Sequence, residues 1–347
     1  MRIALTGYAH PFGGGRVYGA ERIAYYLALA LKDMGHECVF FSVDGCNITD
    51  FKYVKISKPW ADDVDLYWEA IKANGPFDFI HSFQASGCIS SDMRKTPYCL
   101  EPFFSFHNFD ENIVASSKLL NAINGGKSTV IYYGLPLEWY PNIEKISDNY
   151  LVWIGRIDMG KAPDIAIEVS KRMGKRLLLM GPAYHYPYFV EHIWPHIDND
   201  KIIWLRGVDD KIKQRAFRKA QCLLSTNWAE YHEMFGIVNI EALASGCPII
   251  GWGHKIHPSA INFEGGEIIE NGKQGFLNEY DAYSDEQREQ TIVKAIEYIN
   301  HIGDINREDC YRLFLDRFTS RIRAEKCLKY YSIIQNRGNV FDITGEL

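Results

Sequence analysis

No two of the eight cysteines (Cys38, Cys46, Cys88, Cys99, Cys222, Cys247, Cys310, Cys327) form a Cys-x-x-Cys pair, and several sit within apolar runs. That spacing excludes a zinc ribbon and speaks for buried thiols in a reducing compartment rather than a disulfide framework. No apolar run approaches the roughly 20 residues that a membrane-spanning helix needs. Positive charge is in deficit: 38 Lys and Arg against 44 Asp and Glu leave a formal net charge of −6. No basic field therefore favours nucleic acid or an anionic membrane, although peripheral membrane contact through a small local patch stays open. No Gly-x-Gly-x-x-Gly follows the first strand, which disfavours an NAD dehydrogenase. No Asp-x-Asp stands on a strand-end loop. Neither internal repeats nor low-complexity segments are present.

What is there is an ordinary globular composition, 47% hydrophobic and 24% charged, over 347 residues. That length holds two full cores. Met1 to Gly7 runs straight into a strand, leaving no room for a signal peptide, so a cytoplasmic location is expected. The pattern alternates throughout. Arg2–Thr6 reads as a buried strand, a glycine-rich loop follows with Gly13, Gly14 and Gly15, and a helix opens at Gly19 with Ile23, Tyr26, Leu27, Ala30 and Leu31 on one face. Strands are expected at 38–42, 77–81, 97–102 and 129–134, with a helix at 62–73. From Tyr150 the pattern restarts, with strands at 150–154, 176–180, 201–205 and 221–225 and helices at 284–301, 308–318 and 320–334.

The most informative stretch is Glu233-Met234-Phe235-Gly236-Ile237-Val238-Asn239-Ile240-Glu241-Ala242-Leu243-Ala244-Ser245-Gly246-Cys247-Pro248. It reads as loop, helix and strand, with Phe235-Gly236 opening the helix and Gly246 and Pro248 stopping it. Glu241 lies eight residues after Glu233, about two helical turns, which would let both carboxylates face one cleft. A helix N-terminus offers unpaired N–H groups and partial positive charge, suited to a diphosphate. Two acids beside such a helix end suit a ligand rich in hydroxyls as well as negative charge, and a nucleotide sugar is such a ligand.

This stretch resembles the Glu-x7-Glu motif of retaining glycosyltransferases of family 4. Further matches support the resemblance: Tyr18-Gly19-Ala20-Glu21 and Gly35-His36-Glu37-Cys38, the strand end Asp78-Phe79-Ile80-His81, Gly155-Arg156 with Lys161, and Glu267 to Leu277. Alanine replaces a family glycine at Ala20 and at Ala162, Tyr133 stands where asparagine is usual, and Met234 stands where proline is common. The Trp228 to Glu233 loop is long for the family, so Glu230 rivals Glu233 as the first acid.

The resemblance implies an α/β chain with the GT-B fold: two Rossmann-like domains facing across a cleft, with a C-terminal helix crossing back to the N-terminal domain. Residues 1–145, with the helix from about 320 to 347, would form the acceptor domain, and 146–319 the nucleotide-sugar domain. The implied reaction is glycosyl transfer, with retention, from a UDP- or GDP-sugar to a glycan, lipid-linked or small-molecule acceptor. No cofactor and no metal are expected. Arg156 and Lys161 would hold the diphosphate, Glu233 and His107 would meet the transferring sugar, and Glu241 would bind ribose. Gly155, Gly181, Gly207, Val208, Met234, Phe235, Gly236 and Ile237 would complete the donor site, with Gly14, Gly15 and Gly19 in the acceptor and phosphate loop. A sugar-nucleotide 2-epimerase of the same fold and a non-catalytic nucleotide-sugar binding protein are the alternatives. An extra loop, His254 to Gly265, is expected near the donor sugar. His192 and His196 are four apart, but Pro195 between them and the lack of a third ligand argue against a metal site.

Overall fold

A computed structural model of the chain describes residues 1–6, 19–43, 48–58, 63–83, 95–102, 112–143, 148–228, 231–254, 257–280 and 284–347. The chain divides into two compact units, Met1–Leu137 with Arg317–Leu347, and Glu138–Asp316.

The first unit is built from β1 (Arg2–Thr6), α1 (Gly19–Asp33), β2 (Glu37–Val43), β3 (Lys52–Ile56), α2 (Val64–Asn74), β4 (Phe79–Ser82) and β5 (Tyr98–Leu100). These strands form one sheet in the order β3-β2-β1-β4-β5, with every pairing parallel. Ile3, Ala4 and Leu5 are all fully buried, as expected of a strand covered on both faces. A short parallel pair, β6 (Val114–Ala115) and β7 (Thr129–Val130), brackets α3 (Lys118–Ile123). Two of these strands, β3 and β6, have no counterpart in the sequence reading.

The second unit contains β8 (Tyr150–Ile154), α4 (Pro163–Met173), β9 (Arg176–Met180), α5 (Tyr186–Tyr188), β10 (Ile202–Trp204) and α6 (Asp210–Lys219). It continues with β11 (Cys222–Ser225), α7 (Ile237–Ala244), β12 (Ile249–His254), β13 (Gly275–Tyr280), α8 (Asp285–Asn300) and α9 (Arg307–Arg317). Its sheet is again parallel, in the order β10-β9-β8-β11-β12-β13. Numbered within the unit this is 3-2-1-4-5-6, the doubly wound nucleotide-binding order. The expected α/β architecture of two Rossmann-like units is what the chain adopts.

Helix starts follow capping chemistry. Asp63, Ser117, Asp209, Ser284 and Thr319 each accept the backbone N–H three residues on, filling one of the donors that a helix start leaves open. The last of these opens α10 (Ser320–Arg337), which returns to the first unit and buries Ala324, Cys327, Tyr330, Tyr331 and Ile334 beside Leu27, Leu31, Phe40 and Phe79. Cys38, Cys99, Cys222, Cys247, Cys310 and Cys327 are buried free thiols. Cys46 and Cys88 lie outside the described residues.

A buried polar network ties α10 to the strand ends. Arg323 Nη2 donates to both oxygens of Glu101 at 2.7 Å, with side chains 1% and 0% exposed. His81 Nε2 lies 2.9 Å from Glu101 Oε2, and its Nδ1 lies 2.6 Å from the Tyr331 hydroxyl. Burial holds the His81 imidazole below its ordinary value, with Arg323 adding to the effect. A neutral ring then donates from Nε2 to the carboxylate and accepts at Nδ1 from the tyrosine. Burial pushes the Glu101 carboxyl up, but Arg323 and His81 outweigh it and hold it below its ordinary value.

Arg323→Met should cost about 3–5 kcal/mol, because it strands a buried carboxylate. Both lowered groups bind protons more readily in the unfolded chain. Their stability contribution is therefore present near neutrality and is lost as pH falls, starting near the ordinary histidine value of about 6.5. Chemical denaturation of wild type and Arg323→Met between pH 7.5 and 4.5 checks both. An unchanged midpoint in the variant, or a wild-type stability flat across that range, would contradict this account.

Candidate active site

Open parallel sheets bind ligands outside the carboxyl ends of their strands, where the strand order reverses. In the second unit that point lies between β8 and β11. The chain leaves β8 into Gly155, Arg156 and a turn at Met159–Lys161, and leaves β11 into Thr226, Asn227 and Trp228. Asp158 caps the turn by accepting from Lys161 N at 3.0 Å. Thr226 ties the two exits together. It accepts from Trp153 Nε1 at 2.9 Å, and its hydroxyl lies 2.8 Å from Lys161 O.

One glycine allows the two backbones to close. Gly181, which follows β9, has φ +138°, and a Cβ there would stand 1.8 Å from Gly155 O. Only glycine fits this approach. Arg156 lies beside it, with Nε 3.3 Å from Asp158 Oδ2 and its guanidinium 4.7 Å from the centre of the Tyr184 ring. Tyr184 thus packs against one of the two expected phosphate ligands.

Lys161 Nζ forms an ion pair with Glu233, both side chains 18% exposed. Its ammonium also lies 5.1 Å from the centre of the Tyr231 ring, which packs against Gly160. Burial pulls Lys161 below the ordinary lysine value and nearby Arg156 adds to this, while Tyr231 and Asp158 oppose it. The structure therefore joins directly two residues that the resemblance assigns to different parts of the donor.

The helix after Glu233 starts later than its sequence spacing implies. Gly236 is the N-cap of α7, in the left-handed conformation at φ +73°, and the helix covers only Ile237–Ala244. Glu233 lies in the loop before it, so the two acids do not share a two-turn helical face. Glu241 instead turns to Lys213 of α6 in a buried ion pair, with side chains 4% and 5% exposed, and Asp210 lies 3.0 Å from the same ammonium. Sequence reading missed Lys213. Its signal was there: Lys213, Ala216 and Phe217 form the buried face of α6, and a lysine on such a face needs an acid. Met234 and Ile237 are half-buried, Phe235 is buried, and Val208 is half-buried beside an open Gly207.

Asn239 was missed as well. It occupies the third position of α7, is 0% exposed, and neither amide atom has a hydrogen-bond partner among the described residues. Its Nδ2 lies 2.5 Å from where a Cβ on Gly236 would stand, and Glu233 Cγ lies 3.2 Å from that point. An unpaired buried amide costs about 1–3 kcal/mol.

The described part of the extra loop packs against β12 and reaches Glu233. Residues 257–265 pack on β12, where Cβ atoms on Gly251 and Gly253 would meet Ile261 at 2.6 Å and Asn262 at 2.1 Å. Ser259 Oγ donates to Trp252 O at 2.7 Å, and Ala260 N donates to Glu233 O at 2.9 Å. His232 links to the same loop, with Nδ1 3.1 Å from Pro258 O and Nε2 3.0 Å from His257 Nδ1. His192 and His196 take separate neighbours, Glu191 and Lys171. Gly19 begins α1 in the first unit. Gly14, Gly15, His107 and Glu230 lie outside the described residues.

Comparisons with known proteins bear on the fold. Residues 148–299 match the family model described as Glycosyl transferases group 1. No curated protein matches the chain at a significant level. Among solved structures, AviGT4, a glycosyltransferase involved in avilamycin A biosynthesis, superposes with a TM-score of 0.75 over 98% of this chain and 99% of its own, at 17% identity. A glycosyltransferase from Rickettsia africae ESF-5 gives 0.73 over 97% and 99%, at 18% identity. The pneumococcal O-GlcNAc transferase GtfA, solved with UDP and GlcNAc, gives 0.67 over 96% and 99%, at 12% identity. These likenesses establish the fold, that of GT-B glycosyltransferases.

Gly236→Ala should lower stability by about 1–2 kcal/mol for the left-handed backbone alone, before its contact with Asn239. Gly207→Ala, with nothing within 4 Å of its Cβ, should stay within about 0.5 kcal/mol of wild type. Equal denaturation midpoints for the two variants would show that the α7 cap is misread.

Proposed function

We propose that the chain is a retaining glycosyltransferase that binds a nucleoside-diphosphate sugar at the carboxyl edge of the β8–β11 sheet. The observation that carries this reading is the Lys161–Glu233 pair beside the Gly236 cap of α7. It sets a cation, a carboxylate and a helix N-terminus side by side at the switch point. Arg156 and Lys161 take the diphosphate, the guanidinium as a fork of donors and the ammonium as a point charge. Fixed donors aimed at the phosphates stabilise the charge that grows on the leaving nucleoside diphosphate, and the α7 dipole adds to them. Glu233, once its ammonium partner turns to the phosphates, accepts hydroxyls of the transferring sugar. Glu241, held by Lys213, accepts the ribose hydroxyls.

A solved neighbour carrying UDP supports a UDP-sugar as first choice, with a GDP-sugar as second. The acceptor is a glycan, a lipid-linked sugar or a small hydroxylated molecule. With two cations at the diphosphate, no divalent metal is required, and activity should survive EDTA. On the resemblance, His107 is proposed to meet the transferring sugar.

Arg156→Ala and Lys161→Ala should each weaken nucleoside diphosphate binding by about tenfold or more, and nucleoside monophosphate binding less. Equal losses for both nucleotides in calorimetry would place the phosphates elsewhere. The pH dependence follows from Lys161. Its protonated form binds the anion, so affinity is full below its pKa and falls as pH rises through it. Since burial lowers that pKa, wild-type affinity should begin to fall below the ordinary lysine value of about 10.4. An affinity flat up to that pH would contradict the assignment.

A further inference from the structure

We propose that Asn239 is a donor-binding residue whose side-chain amide donates to the terminal phosphate of the bound nucleoside diphosphate. The inference rests on the functional reading above and adds a ligand that neither the resemblance nor the sequence pattern supplies. Buried polar groups in folded proteins are nearly always hydrogen-bonded, so an exception asks for a reason. Asn239 is such an exception: it is fully buried, and both amide atoms lack a partner among the described residues.

A capping role does not explain it. A polar side chain at the third helical position can reach back to the N–H of the cap residue. Asn239 reaches back toward Gly236, with Nδ2 2.5 Å from the position of a Cβ there, yet no side-chain hydrogen bond caps α7. Its own backbone N–H is spent on Gly236 O at 2.8 Å. The amide nitrogen thus lies at the start of an eight-residue helix, where the remaining N–H groups of the first turn have no helical acceptor. The donors brought together there are those an anion requires. Glu233 flanks the same glycine and holds Lys161, the expected phosphate ligand, so a phosphate drawn to Lys161 arrives at this helix end. Because Asn239 is 0% exposed, the proposal requires the Gly236 turn to shift for the amide to meet the phosphate.

The arrangement trades stability for binding, and that makes it testable. Asn239→Leu keeps the forked shape with bulkier methyl ends and removes the unpaired amide, while Asn239→Asp keeps the shape and puts an acid where the phosphate would come. Thermal melts without nucleotide, and calorimetry with UDP, GDP and their monophosphates, are run on wild type and both variants. Expected are a higher melting temperature for Asn239→Leu, a loss of about tenfold or more in affinity for whichever diphosphate wild type binds, and a smaller loss for the monophosphate. Asn239→Asp should weaken the diphosphate further. Wild-type affinity in either variant overturns the proposal, as does a loss equal for mono- and diphosphate. A wild-type protein that binds neither diphosphate would instead sink the functional reading on which the proposal rests.

Discussion

The ion pair between Lys161 and Glu233 is the contact on which the second unit's site depends. It bridges the turn after β8 to the loop that leads into α7, two segments 72 residues apart in sequence. Everything around it is arranged to let those segments approach. Gly160 makes room for the Tyr231 ring, Gly181 lets the strand exits touch, and Thr226 ties the β11 exit to the Lys161 backbone. Ala260 N, from the loop after β12, holds the Glu233 carbonyl. The ion pair keeps the two charges together in the partly open site, and the proposed binding step exchanges Glu233 for phosphate at the ammonium.

The two units use buried ions differently. In the first, Glu101, Arg323 and His81 are sealed from solvent and bind the last helix to the strand ends, a role in folding. In the second, Lys161 and Glu233 keep some solvent access, while Lys213 and Glu241 are nearly closed. The partly open pair is the one free to exchange partners. The closed pair holds one carboxylate in place.

Much of this was legible in the residues, and the parts that were not have identifiable causes. Strands such as Leu151 to Ile154 and Leu177 to Met180 are unbroken apolar runs, so their burial could be read directly. The edge strand β3, Lys-Tyr-Val-Lys-Ile, is only partly covered and lies in a stretch with little apolar patterning. The Glu233–Glu241 geometry misled because spacing converts to helical turns only along a continuous helix. Gly236 in the left-handed region breaks that continuity. Lys213 and Asn239 were passed over because a polar residue inside a helix reads as solvated unless the burial of its face is counted. In both cases the burial pattern of the neighbours carried the information.

In the proposed function Glu233 acts on the transferring sugar and Glu241 on the unchanging ribose. Steady-state kinetics of Glu233→Gln, Glu241→Gln and Glu230→Gln, followed by release of nucleoside diphosphate from the preferred donor, tests it most directly. Loss of ribose binding should raise the donor KM of Glu241→Gln with a smaller effect on kcat, as for binding that is uniform along the reaction. Glu233→Gln should lower kcat and kcat/KM together, with Glu230→Gln close to wild type. An inactive Glu230→Gln beside a near-normal Glu233→Gln would contradict the assignment of the site.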